Sequence, residues 1–146
     1  MIFIGSNHAG FSLKEEIKKH LTELNLEFKD FGCFSEASVD YPQIAKEVCT
    51  ALVKTKNNKA ILICGTGVGM SIVANKFLNV RAVCASDHFS VKHSRLHNDA
   101  NVLCIGARVV AKFFAFELVD VFLSTNFSKG RHEGRVEQIN NIDYNV

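Results

Sequence analysis

Two short segments concentrate residues that can bind an anion and move a proton: Ser6-Asn7-His8-Ala9-Gly10, and Cys64-Gly65-Thr66-Gly67-Val68-Gly69-Met70-Ser71. Gly65, Gly67 and Gly69 let backbone amides turn inward and let a ligand approach closely. A helix beginning near Met70 would add its partly positive end. The amides from Gly65 through Val68 to Gly69 thus outline an anion or oxyanion site. A tight, closely packed turn needs the same glycines, so the pattern alone does not separate the two readings. No Gly-Lys-Ser/Thr follows, which excludes a P-loop. Met70 stands where a dinucleotide-binding GxGxxG needs glycine, although Asp87 falls where a ribose-binding acid would. Cys64 ends an apolar run just before the glycines and near a helix N-terminus, a setting suited to a base or nucleophile. A thiol in an apolar strand also serves as a small core residue, the expectation for Cys84 and Cys104.

His93 and His97 have the i, i+4 spacing that can present two metal ligands, but no third ligand follows at a recognisable spacing, so no metal is expected. Residues 94–101 read instead as a helix ending that delivers His97 as acid/base and Asn98 as hydrogen-bond donor, with Asp99 structural. Arg131 and Arg135 lie four residues apart around His132, where two guanidinium groups on one helical turn can converge on a phosphate. The chain has only five arginines, so this pairing stands out from a solvated basic tail; Arg108 is a further candidate.

The elements that must position these residues follow from periodicity. Apolar runs of strand length (residues 1–4, 27–31, 60–64, 81–85 and 102–105) alternate with helical segments, the βαβα pattern of a parallel sheet covered on both faces. Phe11, Leu13, Ile17, Leu21 and Leu24 mark one helix, and Pro42 suits the first turn of another carrying Ile44, Val48 and Leu52 inward. In such sheets ligands bind beyond the strand C-termini, commonly between strands one and three, so the two segments should meet there. A final long helix over about 109–124 carries Val110, Phe113, Phe114, Phe116, Leu118, Val121 and Phe122 around most of its circumference, which predicts a homodimer with this helix near the interface.

The 146 residues suit one domain over 1–146. Seventeen Lys and Arg against 15 Asp and Glu, a net +2, argue against nucleic acid or a membrane surface as main partner. Five cysteines without CxxC spacing suggest reduced thiols and a cytoplasmic protein. The N-terminus lacks the basic and apolar regions of a secretory signal, and the longest apolar stretch, 109–123, is broken by Lys112, Glu117 and Asp120 and is too short to span a bilayer.

Together the ordered motifs HAGF, DYP (residues 40–42), ICGTGVGMSIVANK (63–76), RAVCAS, SRLHNDANVL, GARVV and GRHEGRV resemble the type B ribose-5-phosphate isomerases and the related allose- and galactose-phosphate isomerases. The resemblance covers essentially the whole chain. It implies a three-layer α/β sandwich with a five-stranded parallel Rossmann-like sheet, and a homodimer that can pair into a tetramer, with active sites shared between subunits. It also implies interconversion of ribose 5-phosphate and ribulose 5-phosphate, without metal or cofactor, through a cis-enediolate, as in the non-oxidative pentose phosphate pathway. Carried over residue by residue, it makes Cys64 the base, Thr66 the group that helps move a proton between O1 and O2, and His97 the group that opens the sugar ring. Asn98 becomes a second oxyanion contact; His8, Arg108, Arg131 and Arg135 become phosphate and substrate ligands, with Tyr41 lining the pocket. One departure stands out: the family commonly has Asp-His after strand one, and this chain has Asn7-His8, an amide that binds hydroxyls but takes no proton. Retention of Cys64 separates the chain from the galactose-6-phosphate isomerase subunits that lose the cysteine, but not ribose 5-phosphate from allose 6-phosphate. A non-catalytic nucleotide- or sugar-phosphate-binding module is the alternative, and it has no need of Cys64.

Overall fold

The computed structural model describes residues 1–55 and 57–142. Its strands are β1 (Ile2–Ser6), β2 (Phe28–Asp30), β3 (Lys59–Cys64), β4 (Ala82–Cys84) and β5 (Val102–Gly106). Its helices are α1 (Phe11–Glu23), α2 (Tyr41–Leu52), α3 (Val68–Ala74), α4 (His88–Asn98), α5 (Lys112–Ser124) and α6 (Glu133–Asn140). The strands form one parallel sheet in the order β2-β1-β3-β5-β4. From β1 the chain moves outward to β2, then crosses to β3 on the other side, so the switch point lies between β1 and β3.

Alternation along each strand divides the core into two layers. Ile4, Ile61, Ile63, Leu103 and Ile105 pack with Leu13, Ile17 and Leu21 of α1 and Leu118 and Phe122 of α5. Phe3, Leu62, Cys64 and Cys104 pack with Ile44, Val48 and Leu52 of α2 and Met70 and Ala74 of α3. Cys64 therefore points into the α2/α3 layer at the upper rim of the sheet.

Several boundaries differ from the sequence expectation. β1 runs past its expected end at Ile4 through Gly5 and Ser6, which pair with Leu62 and Ile63 of β3, and α2 packs there so closely that a Cβ on Gly5 would lie 2.9 Å from Ile44. β2 and β4 have three residues each. The helix expected from residue 109 begins at Lys112, since the Val109 and Val110 amides first close a turn on the Gly106 carbonyl. That helix buries Ala115, Leu118, Val119 and Phe122 and leaves Phe113 72% exposed. It is not the last: α6 follows.

Two polar knots hold the ends of the sheet. At the strand N-termini, Lys59 donates to the Leu123 carbonyl, Arg95 to those of Ala100 and Thr125, and Arg81 to those of Asn98 and Asp99. The carbonyl-rich C-terminal ends of α4 and α5 thereby meet positive charge, and Asp99 bridges Arg81 and Arg95. At the opposite end, the fully buried Lys14 and the half-buried Lys18 both bind Asp30, whose other oxygen accepts the Gly32 amide at 2.9 Å. This second knot anchors the start of the segment leading to Val39 and Tyr41.

Candidate active site

At the switch point the segments after β1 and β3 meet, as expected. The Asn7 amide donates to the Ile63 carbonyl at 3.2 Å, and Gly10 closes onto β3 so tightly that a Cβ would lie 2.6 Å from the same oxygen. Only a glycine lets the turn at His8–Gly10 sit there.

The Cys64 sulfur accepts the Gly67 amide at 3.1 Å. Gly67 caps the N-terminus of α3 with φ +80°, a conformation open to glycine, and presses on the strand ends below. Its Cβ would fall 3.0 Å from Cys84 Sγ and 3.0 Å from the Ile105 carbonyl carbon, while a Cβ on Gly106 would lie 2.7 Å from the Thr66 backbone. The Val68 amide donates to Thr66 Oγ1 at 3.3 Å. The first amides at the N-terminus of α3 thus turn to the thiol and to Thr66, and those that follow in the first turn have no intrahelical acceptor, the arrangement an oxyanion requires.

Three side chains frame this loop. Arg108 follows β5, its amide bonded to the Gly65 carbonyl at 3.0 Å, and its side chain lies over Gly65. Tyr41 rests on Gly69, where a Cβ would meet the ring at 2.7 Å. His8 Nδ1 lies 3.2 Å from the Val39 amide, which can donate to it, and 3.3 Å from the Val39 carbonyl, so the ring is tied to Val39 in either tautomer. Asn7 is buried, and its Oδ1 is the one buried side-chain oxygen or nitrogen without a partner among the described residues. Asp87, the ribose-acid candidate, instead caps α4 by accepting the Ser90 amide at 2.7 Å, which holds its carboxyl below the usual range.

The remaining candidates lie elsewhere in the chain. α4 runs back down the sheet, and its last residues, His97 and Asn98, precede Arg81-bonded Asp99 at the level where β3, β4 and β5 begin. Cys64 sits at the other end of β3, about 16 Å along the strand axis at roughly 3.3 Å per residue. The expectation that His97 and Asn98 join the glycine loop is thus not met within one chain. His97 stacks on His132 (centroids 4.2 Å, 12°), and Arg131 and Arg135 are exposed on the same segment, Arg131 in a 3₁₀ turn and Arg135 in α6. Desolvation, then the positive charge of His97, Arg131 and Arg135, pushes the His132 ring below the usual histidine range.

Two neighbours escaped sequence reasoning. Cys84 was expected in the core with Cys104; Cys104 is buried, but Cys84 is exposed at the end of the short edge strand and donates to the Thr66 carbonyl at 3.6 Å. Its register opposite Cys104, knowable only from the sheet order, brings it beneath the glycine loop. His132 carried a weaker signal, its place between two arginines. Among the described residues no group of three His, Cys, Asp or Glu side chains could hold a metal, and no helix is long and apolar enough to cross a membrane.

Fold and loop together define an α/β protein with a thiol and an amide-lined anion site at the switch point of a five-stranded parallel sheet. Residues 2–139 match the Ribose/Galactose Isomerase family, and the chain belongs to it. It is 46% identical to ribose-5-phosphate isomerase B of Escherichia coli (strain K12) over 142 residues, covering 97% of this chain and 95% of that protein. The fold matches ribose-5-phosphate isomerase B of Clostridium thermocellum with a TM-score of 0.94 at 42% identity, covering 97% of this chain and 95% of that one. Ribose-5-phosphate isomerase B of Mycoplasma genitalium, solved with bound ribulose-5-phosphate, matches with a TM-score of 0.91 at 38% identity, covering 95% and 93%.

Proposed function

We propose that this protein interconverts ribose 5-phosphate and ribulose 5-phosphate by proton transfer through a cis-enediolate. The observation that carries this reading is the Cys64 thiol, held by the Gly67 amide under the glycine loop at the switch point. As base, Cys64 takes the proton from C2 of the open-chain aldose. The electron pair moves into the C1–C2 bond and charge gathers on O1, where amides of the Gly65 to Gly69 loop stabilise it. Thr66 helps move a proton from O2 to O1, and Cys64 returns its proton to C1, leaving the ketone at C2. His8, Tyr41 and Arg108, gathered around the same loop, contact the sugar and its phosphate, and Asn7 Oδ1 accepts a hydroxyl. A base thiol works only when reduced, which fits a cytoplasmic enzyme.

The separation of His97, Asn98, Arg131 and Arg135 from Cys64 supports a homodimer with composite sites. In it the partner subunit's His97 opens the sugar ring, the partner subunit's Asn98 adds an oxyanion contact, and the partner subunit's Arg131 and the partner subunit's Arg135 bind phosphate. Phe113, exposed on α5, supports a dimer contact near this helix, and such dimers can pair into tetramers. A coupled isomerase assay across ribose 5-phosphate, allose 6-phosphate and galactose 6-phosphate tests the substrate. The highest kcat/KM is expected on ribose 5-phosphate; a six-carbon sugar preferred by tenfold or more would overturn the assignment.

A further inference from the structure

We propose that His93 is a positioning residue for His97, forming with Phe89 an aromatic wall that holds the His97 imidazole in the orientation needed for sugar-ring opening. The inference rests on the reading of His97 as the ring-opening group.

The arrangement is a ladder of four rings. His93 Nδ1 lies 2.9 Å from the Phe89 carbonyl one turn earlier in α4, and its ring stacks on Phe89 at 3.9 Å and 26°. Both contacts come from the helix itself, so the His93 rotamer is set without help from any other element. His97 follows one turn later and meets His93 edge-on, at 5.0 Å and 71°, while His132 covers it from another side. Restraint from side chains matters here because α4 stops immediately afterwards: Asp99 turns left-handed at φ +46°, so no further helical turn packs beyond His97. His132 alone stacks nearly parallel, a contact along which a ring can slide; the edge-on contact from His93 blocks that slide. The i, i+4 histidine pair, which in sequence resembles half a metal site, is thereby given a use that needs no metal.

Ring opening and enolisation separate by choice of substrate. Ribose 5-phosphate closes through O4 and must be opened, whereas erythrose 4-phosphate carries its phosphate on O4 and cannot close into a furanose. His93→Ala, His93→Phe and His97→Ala are compared with the parent on both sugars, with thermal melting as a check on folding. His93→Ala is expected to lower kcat on ribose 5-phosphate about 2- to 10-fold relative to erythrose 4-phosphate, the factor one aromatic pair contact is worth. KM should be little changed, and His93→Phe, which keeps the wall, should restore the ratio. Equal losses on both sugars, or no loss on ribose 5-phosphate, would overturn the proposal. His97→Ala distinguishes the two levels: a selective loss in that variant without one in His93→Ala removes only the role of His93. No selective loss in His97→Ala removes the ring-opening reading and the inference with it.

Discussion

Gly67→Ala puts the N-terminus of α3 under strain. The residue sits at φ +80°, where a side chain costs about 1–2 kcal/mol. The added methyl group would lie 3.0 Å from Cys84 Sγ and 3.0 Å from the Ile105 carbonyl carbon. The sulfur can rotate aside but the strand backbone cannot, and overpacking of this kind typically costs a further ~1–3 kcal/mol. At roughly 2–4 °C per kcal/mol for a chain near this size, the melting midpoint should fall by about 5–15 °C. The loop can relieve the clash only by lifting off β5, which breaks the 3.1 Å bond from the Gly67 amide to Cys64 and moves the neighbouring amides away from the oxyanion. Loss of one such donor typically costs about 10²- to 10³-fold in kcat. Steady-state assays below the lowered midpoint, with binding of the sugar phosphate measured separately, should show kcat falling by that factor and affinity changing far less. Gly134→Ala is the control, because a Cβ there meets nothing within 4 Å and the residue is helical. A folded Gly67→Ala enzyme with kcat within threefold of the parent would refute the role given to the loop amides.

Mixed Cys64→Ala and His97→Ala subunits should recover part of the activity that each lacks, since a mixed dimer has one site with both residues intact; no recovery at any mixing ratio would place both in one chain's site. Asp30→Asn addresses the knot beneath the loop. Burial pushes the Asp30 carboxyl up, but Lys14, Lys18 and the Gly32 amide together pull it below the usual range. Its stabilising effect is therefore complete above the unfolded pKa, near 4, and lost as pH falls through the lower folded value. The variant should be less stable at pH 7 by about 3 kcal/mol, the lower end for a broken buried pair, and its melting midpoint should fall less than the parent's between pH 5 and 2. Parallel curves would contradict this linkage. Asn7→Asp should raise kcat on ribose 5-phosphate, with little gain on erythrose 4-phosphate, if the amide slows ring opening; an unchanged or lower kcat would show that Asn7 instead selects sugar hydroxyls.

The sheet was readable because its buried strands are unbroken apolar runs between helices of clear period, as at Ile61 to Ile63, and the position of the site follows from strand topology. Cys64, Thr66, His8 and the glycines could be brought together in advance because each lies directly after a strand. Long-range register was not readable: nothing local reveals that β5 inserts between β3 and β4, which alone sets Cys84 beside Gly67. The same limit applied to His97 and Asn98. Their spacing showed a helix ending, and a helix joining two parallel strands returns to the strand N-termini, away from Cys64; what local spacing does not carry is which chain's site they complete.

The central claim, proton transfer by Cys64, is tested most directly by following ribose 5-phosphate in deuterated water by NMR with the parent enzyme and with Cys64→Ala. The parent should form ribulose 5-phosphate with solvent deuterium appearing at C1, and Cys64→Ala should be slower by about 10²- to 10⁴-fold, the usual weight of a lost general base, while still binding the sugar phosphate. Ribulose 5-phosphate formed at near-parental rate by a folded Cys64→Ala enzyme would contradict it.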